Sequence, residues 1–97
     1  MKKDLSCADP NNPFYNKKVV ITGVFDVERV ELARKLKSLG ADLDTTISKR
    51  TNFVLIGREA GPSKLAKMQS LIENGYDIRP LGQKEVTLIM SDNFNII

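Results

Sequence analysis

The chain has 97 residues, 41% of them hydrophobic and 28% charged, with a formal net charge of +3, which suits one small globular core and is too little for two. With no His, no Trp and one Cys, it excludes a Ser-His-Asp triad, a Cys-His pair, the usual zinc sites and an internal disulfide, and the lone thiol fits a reducing cytoplasm. Phosphate-loop and dinucleotide glycine motifs are absent and no apolar run reaches the ~18 residues of a membrane span, so the expectation is a domain without catalysis, metal, cofactor or membrane, whose basic balance favours an anionic partner.

Residues 1–13, MKKDLSCADPNNP, hold two prolines and adjacent asparagines and read as a flexible N-terminal linker or tail. The start superficially resembles a lipoprotein signal, but no apolar stretch precedes Cys7 and Asp4 lies inside it, so export is rejected. Residues 17–22 form a first strand in the apolar run VVITGVF, which ends on Thr22-Gly23. Asp26 is expected to cap a first helix with an apolar stripe of Val30, Ala33, Leu36 and Leu39, widened by Leu32. Glu28, Arg29, Glu31, Arg34, Lys35 and Lys37 make its polar face, and Gly40 stops it in a left-handed conformation.

Asp42 to Asp44 is a short second strand, whose two carboxylates read as solvated charges on a sheet edge rather than a magnesium site. TTISKRT is a loop, and NFVLIG, residues 52–57, has the continuous apolar character of a central parallel strand covered on both faces. A second helix is predicted from near Ser63 to about Asn74, with Leu65, Met68, Leu71 and Ile72 inward and Gly75 at its end. DIRP reads as a fourth strand stopped by Pro80, GQKEVTLIM as a third helix, and residues 91–97 as a tail. Val19, Ile21, Leu36, Leu39, Val54, Ile56, Leu65 and Met68 are expected in one core.

Helices between strands are crossover connections, so the class is α/β with a parallel sheet, and ligands in such sheets gather outside the carboxyl ends of the strands. Thr22-Gly23 and the loop GREAGPS, residues 57–63, both lie at such ends. Lys64 falls on the first turn of the second helix, where the macrodipole disfavours a cation by about 0.3–1 kcal/mol. An anion docked there would turn that Lys into a ligand. Thr22 would add a hydroxyl, and Gly23 an N–H reachable without a side chain in the way.

KKVVITGVF, LGA at 39–41, ISKRTNFVLIG at 47–57 and AGPSKLAKMQ at 60–69 together resemble a BRCT domain over residues 14–90. The resemblance is closest to the single BRCT domains of bacterial NAD-dependent DNA ligases and of the replication factor C large subunit. The lead-in ADPNNPFYNKK is also similar to the segment before BRCT domains of exonucleases like the proofreading subunit of bacterial DNA polymerase III. It implies a four-stranded parallel sheet of order 2-1-3-4 flanked by three helices, with the first and third helices on one face, and a role in DNA replication or repair. It also implies that Thr22, Gly23 and Lys64 hold a phosphate, joined by Arg29 early in the first helix. Many members carry a Trp in the third helix; here Val86, Leu88 or Ile89 is expected to fill that space.

Two functions stay open. One is a module that binds DNA at a 5′-phosphorylated end or nick, with Arg29, Lys64 and the secondary candidates Lys49, Arg50 and Lys67 neutralising backbone charge. The other is docking of a replication or repair protein, including a phosphopeptide, through the same pocket. A lone domain after a Pro/Asn-rich lead-in is also what the excised end of a larger enzyme would look like, with any catalysis in the missing part.

Overall fold

In the computed structural model, which describes residues 12–91, strands and helices alternate along the chain. They are β1 (Lys18–Thr22), α1 (Arg29–Ser38), β2 (Asp42–Asp44), β3 (Phe53–Ile56), α2 (Pro62–Glu73), β4 (Arg79–Leu81) and α3 (Gln83–Met90). The strands pair in parallel, as the crossover argument required, and in the order β2-β1-β3-β4, which the resemblance implied. Most of the expected N-terminal tail and of residues 91–97 lies outside the described residues.

Successive side chains of a strand face opposite sides of the sheet, so the sheet carries two core layers rather than the single core expected. On one face Val19, Phe53, Leu55 and Leu81 meet Leu32 and Leu36 of α1 and Val86 and Ile89 of α3, with Ile21 and Leu39 at the margin. On the other, Val20 and Val54 meet Met68 of α2 together with Ile47 and Ile78, and Ile56, Leu65, Leu71 and Ile72 are half-buried around them. Val86 and Ile89 are completely buried, so these two, and not Leu88, fill the third-helix side of the core. Phe14 is also completely buried, its ring 4.9 Å from that of Phe53.

Both long helices close with the same device. In α1 the Gly40 N–H reaches the Lys37 carbonyl and the Ala41 N–H that of Leu36; in α2 Gly75 and Tyr76 bond Ile72 and Leu71 in the same way. Each glycine has positive φ, +88° and +94°, which satisfies otherwise unpaired carbonyls at a conformation that other residues resist.

Three sequence expectations are corrected. The N-cap of α1 is Glu28 rather than Asp26, because the chain makes an extra turn after β1 in which the Asp26 N–H bonds the Gln83 side chain at 2.9 Å. Val30 is 62% exposed: the buried stripe of α1 runs through Leu32, Leu36 and the half-buried Leu39, leaving Val30 on another face. Pro80 lies inside β4, opposite Val54, where an edge strand tolerates the missing N–H. Asp42 differs in a smaller way, since it is half-buried and accepts a 2.9 Å hydrogen bond from Lys18 Nζ across β1 and β2.

Two outcomes follow from this packing. Leu36→Ala should lose about 2–5 kcal/mol in urea unfolding through a core cavity, whereas Val30→Ala should change stability by about 0.5 kcal/mol or less. The hydrogen bond to Asp42, and then its charge, raise the Lys18 pKa above 10.5. A raised folded-state pKa contributes stability in full below the unfolded value and loses it as pH rises through the folded one. The stability gap between the native chain and Asp42→Asn should therefore shrink as pH is taken above 10.5.

Candidate functional site

Two glycines set the carboxyl end of the sheet. The Gly57 N–H bonds the Thr22 carbonyl at 2.8 Å, and Val24 and Arg58 exchange N–H···O bonds of 2.7 and 2.8 Å in an antiparallel bridge. The backbones are so close that a Cβ on Gly23 would lie 2.7 Å from the Arg58 carbonyl oxygen and 2.8 Å from the Gly57 carbonyl carbon. A Cβ on Gly57 would run into the backbone of Val24. Gly23 also has φ +83°. Strand one therefore ends on Thr-Gly for a reason internal to the fold: only glycine can turn there and let the two loops touch. An Arg58–Asp26 ion pair of 3.1 Å lies over the same junction.

That junction positions Arg29. As the first residue of α1 it extends back, and its guanidinium donates to the Gly23 carbonyl at 3.0 Å. On the far side of the sheet α2 begins after Gly61 with Pro62, has no side-chain cap and carries no acidic residue in its first turn, where Lys64 stands. The helix end thus keeps its positive character.

Arg29 and Lys64 line one cavity of about 620 Å³, although their helices pack on opposite faces. The short β2 makes this possible. Its last residue, Asp44, pairs with Val20, so Ile21 and Thr22 project past it and leave a notch at the edge of the sheet. Ile21, Val30, Ala33 and Leu43 form an apolar floor; Arg29, Arg34, Lys37 and Lys64 supply cations; Asp44 and Thr45 complete the wall. The sequence reading missed Arg34 and Lys37 as site residues, and it placed Val30 and Ala33 on the apolar stripe of the helix. A signal was available, because 30, 33, 34 and 37 follow the i, i+3, i+4, i+7 spacing of one helix face.

The remaining candidates fall elsewhere. Thr22 is 4% exposed and lines neither this cavity nor the smaller one beside it, which Gly23 and Arg29 share. By strand alternation from Val20, the Thr22 side chain lies on the α2 face. Lys49 sits over the Tyr76 ring, 5.7 Å from its centre, while Arg50 and Lys67 are exposed and outside the cavity. Among the described residues no three potential metal ligands come together.

Comparison with known proteins agrees with the fold. Residues 9–74 match the model of the BRCA1 C Terminus (BRCT) domain. The chain is similar to a DNA ligase of Helicobacter hepaticus, 44% identical over 70 residues that make up 72% of this chain and 11% of the ligase. It is also similar to a DNA ligase of Aliarcobacter butzleri, 40% identical over 78 residues, 80% of this chain and 11% of that one. The chain therefore spans about a tenth of the length of these relatives. Both are ligases, and neither supports the exonuclease resemblance of the lead-in. The solved C-terminal BRCT domain of human XRCC1 superposes with a TM-score of 0.64 over 86% of this chain and 84% of that one, at 19% identity, and so shares the fold.

Gly23→Ala should destabilise the chain by about 2 kcal/mol or more, since left-handed backbone costs roughly 1–2 kcal/mol in any L-residue before the clash with Gly57 and Arg58 is added. Lys64→Ala should melt within about 2–4 °C of the native chain, as expected for a change of about 0.5 kcal/mol or less. Equal melting of Gly23→Ala and the native chain would show that the loop contact is dispensable.

Proposed function

This chain belongs to the BRCT domain family, and on that premise we propose that it is a non-catalytic DNA-binding module of a ligase-like replication or repair protein, reading a 5′-phosphate at an end or nick. The observation that carries the reading is the convergence of Arg29 and Lys64, from helices on opposite faces of the sheet, on one cavity with Arg34 and Lys37. Four cations face one carboxylate among the described lining residues. A terminal phosphate offers more charge and more free oxygens than a bridging phosphodiester, and charge-assisted hydrogen bonds to it contribute roughly 1.5–3 kcal/mol each.

In this reading Lys64 and the open start of α2 bind the phosphate. Gly23 contributes its backbone, Thr22 its hydroxyl from the α2 face, and Arg29, already held by the Gly23 carbonyl, the second cation. Lys49, Arg50 and Lys67 lie outside the cavity and in this reading contact flanking backbone phosphates. The domain runs over residues 14–90, and catalysis belongs to the rest of a longer parent protein in the cytoplasm. No helix among the described residues is long and apolar enough to cross a membrane.

Titration against matched duplexes with 5′-phosphate and 5′-hydroxyl ends tests the proposal. Removing the phosphate should weaken binding about tenfold, the equivalent of roughly 1.4 kcal/mol, and Lys64→Ala should abolish the difference. Substitution of Arg50 should instead weaken both duplexes alike and lower the salt slope by about one unit. Equal affinity of the native chain for both ends at low salt would overturn the DNA-end reading and favour a protein partner.

A further inference from the structure

The floor of the cavity has the wrong chemistry for a site that touches only phosphates. Ile21, Val30, Ala33 and Leu43 are all aliphatic, and Val30 is 62% exposed on a helix that has buried Leu32 and Leu36 elsewhere. A large apolar side chain held open to water between Arg29, Arg34, Lys37 and Lys64 has no role in the packing and none in binding a backbone anion.

We infer that this floor receives the unpaired terminal nucleotide of the phosphorylated strand, its base lying against Val30 and Ala33 while the surrounding cations hold its phosphates. The inference rests on the DNA-end reading above. A nucleotide joins an apolar ring face to a string of negative charges, and the cavity presents the complement of both. Its volume of about 620 Å³ falls within the roughly 300–1,000 Å³ usual for small-ligand sites. From Arg29 to Lys37 the cations extend along α1 for about 12 Å at 1.5 Å per residue, far enough to follow more than one phosphate. Aliphatic side chains pack against opened base steps in other DNA-binding proteins, and contact with a base face carries little sequence preference because every base presents one.

A paired terminal base must first leave its stack, at a cost of a few kcal/mol, whereas an unpaired one has less to lose. The site should therefore discriminate in favour of frayed, mismatched or single-nucleotide flap ends. An acidic peptide with aliphatic anchors would satisfy the same charges, but it would show no preference tied to a nucleobase.

Three 5′-phosphorylated duplexes of one sequence decide the matter: a fully paired end, an end whose 5′-terminal nucleotide is unpaired, and the same unpaired end with that base removed to leave an abasic sugar. The native chain should bind the unpaired end roughly fivefold more tightly than the other two, the scale expected for partial burial of a base face. Val30→Asn, at an exposed position where melting can verify the fold, should bring the unpaired end down to the abasic level. Equal binding of the unpaired and abasic ends by the native chain, which needs no variant, would overturn this inference while a persisting 5′-phosphate dependence on the paired duplex left the DNA-end reading standing. Loss of that phosphate dependence, together with Val30-dependent binding of an acidic aliphatic peptide, would overturn both.

Discussion

The backbones leaving β1 and β3 touch at a point where neither can carry a side chain. Gly23 and the Gly57-Arg58 peptide come within Cβ-excluding distance, and the Val24–Arg58 bridge fastens the two loops together. Much of the carboxyl end of the sheet follows from this contact. It fixes where the chain re-enters α1, and so where the Arg29 guanidinium can reach the Gly23 carbonyl. It also fixes the direction in which the loop after β3 departs toward α2 and Lys64. A parallel sheet has to build its ligand face from such crossovers, because its strands never meet in tight hairpins there.

Beyond the junction, the decisive dimension is the length of β2. Three residues are enough to pair with Lys18, Val19 and Val20 and to seat the Lys18–Asp42 ion pair, and too few to cover Ile21. The uncovered end of β1 becomes the notch over which α1 and α2, otherwise separated by the sheet, both contribute cations. Each of these cations is an ordinary solvated surface charge when considered by itself. Their common cavity, with one carboxylate among the described lining residues, concentrates positive potential in a way that isolated surface charges do not.

Helix α1 thereby has two jobs on two faces. Leu32 and Leu36 hold it to the sheet and to α3, while Val30, Ala33, Arg34 and Lys37 face the cavity. The division lets the helix keep its packing while the residues of its outer face line the cavity. On the α3 side Val86 and Ile89 complete the core without a Trp, and the fold is shared with the XRCC1 domain at 19% identity.

The sequence by itself determined the class and the succession of elements along the chain, because hydrophobic period, glycine stops and crossover logic are local properties, while the order of strands in the sheet came from the resemblance. Gly40 and Gly75 end helices where they were expected to, and the unbroken FVLI run is buried on both faces of a central strand. The motifs at Thr22-Gly23 and Lys64 likewise drew attention to the carboxyl end of the sheet, where Lys64 lines the cavity. Tertiary structure alone decided which face of α1 is buried, since Val30 and Leu32 are equally apolar in the sequence and differ only in what lies opposite them. It alone showed that Gly23 answers to a backbone 34 residues away, for a clash between two loops leaves no periodic trace in either. And it alone brought Arg34 and Lys37 to the same cavity as Lys64, because that convergence depends on the strand that stops short, a matter of register rather than of residue type.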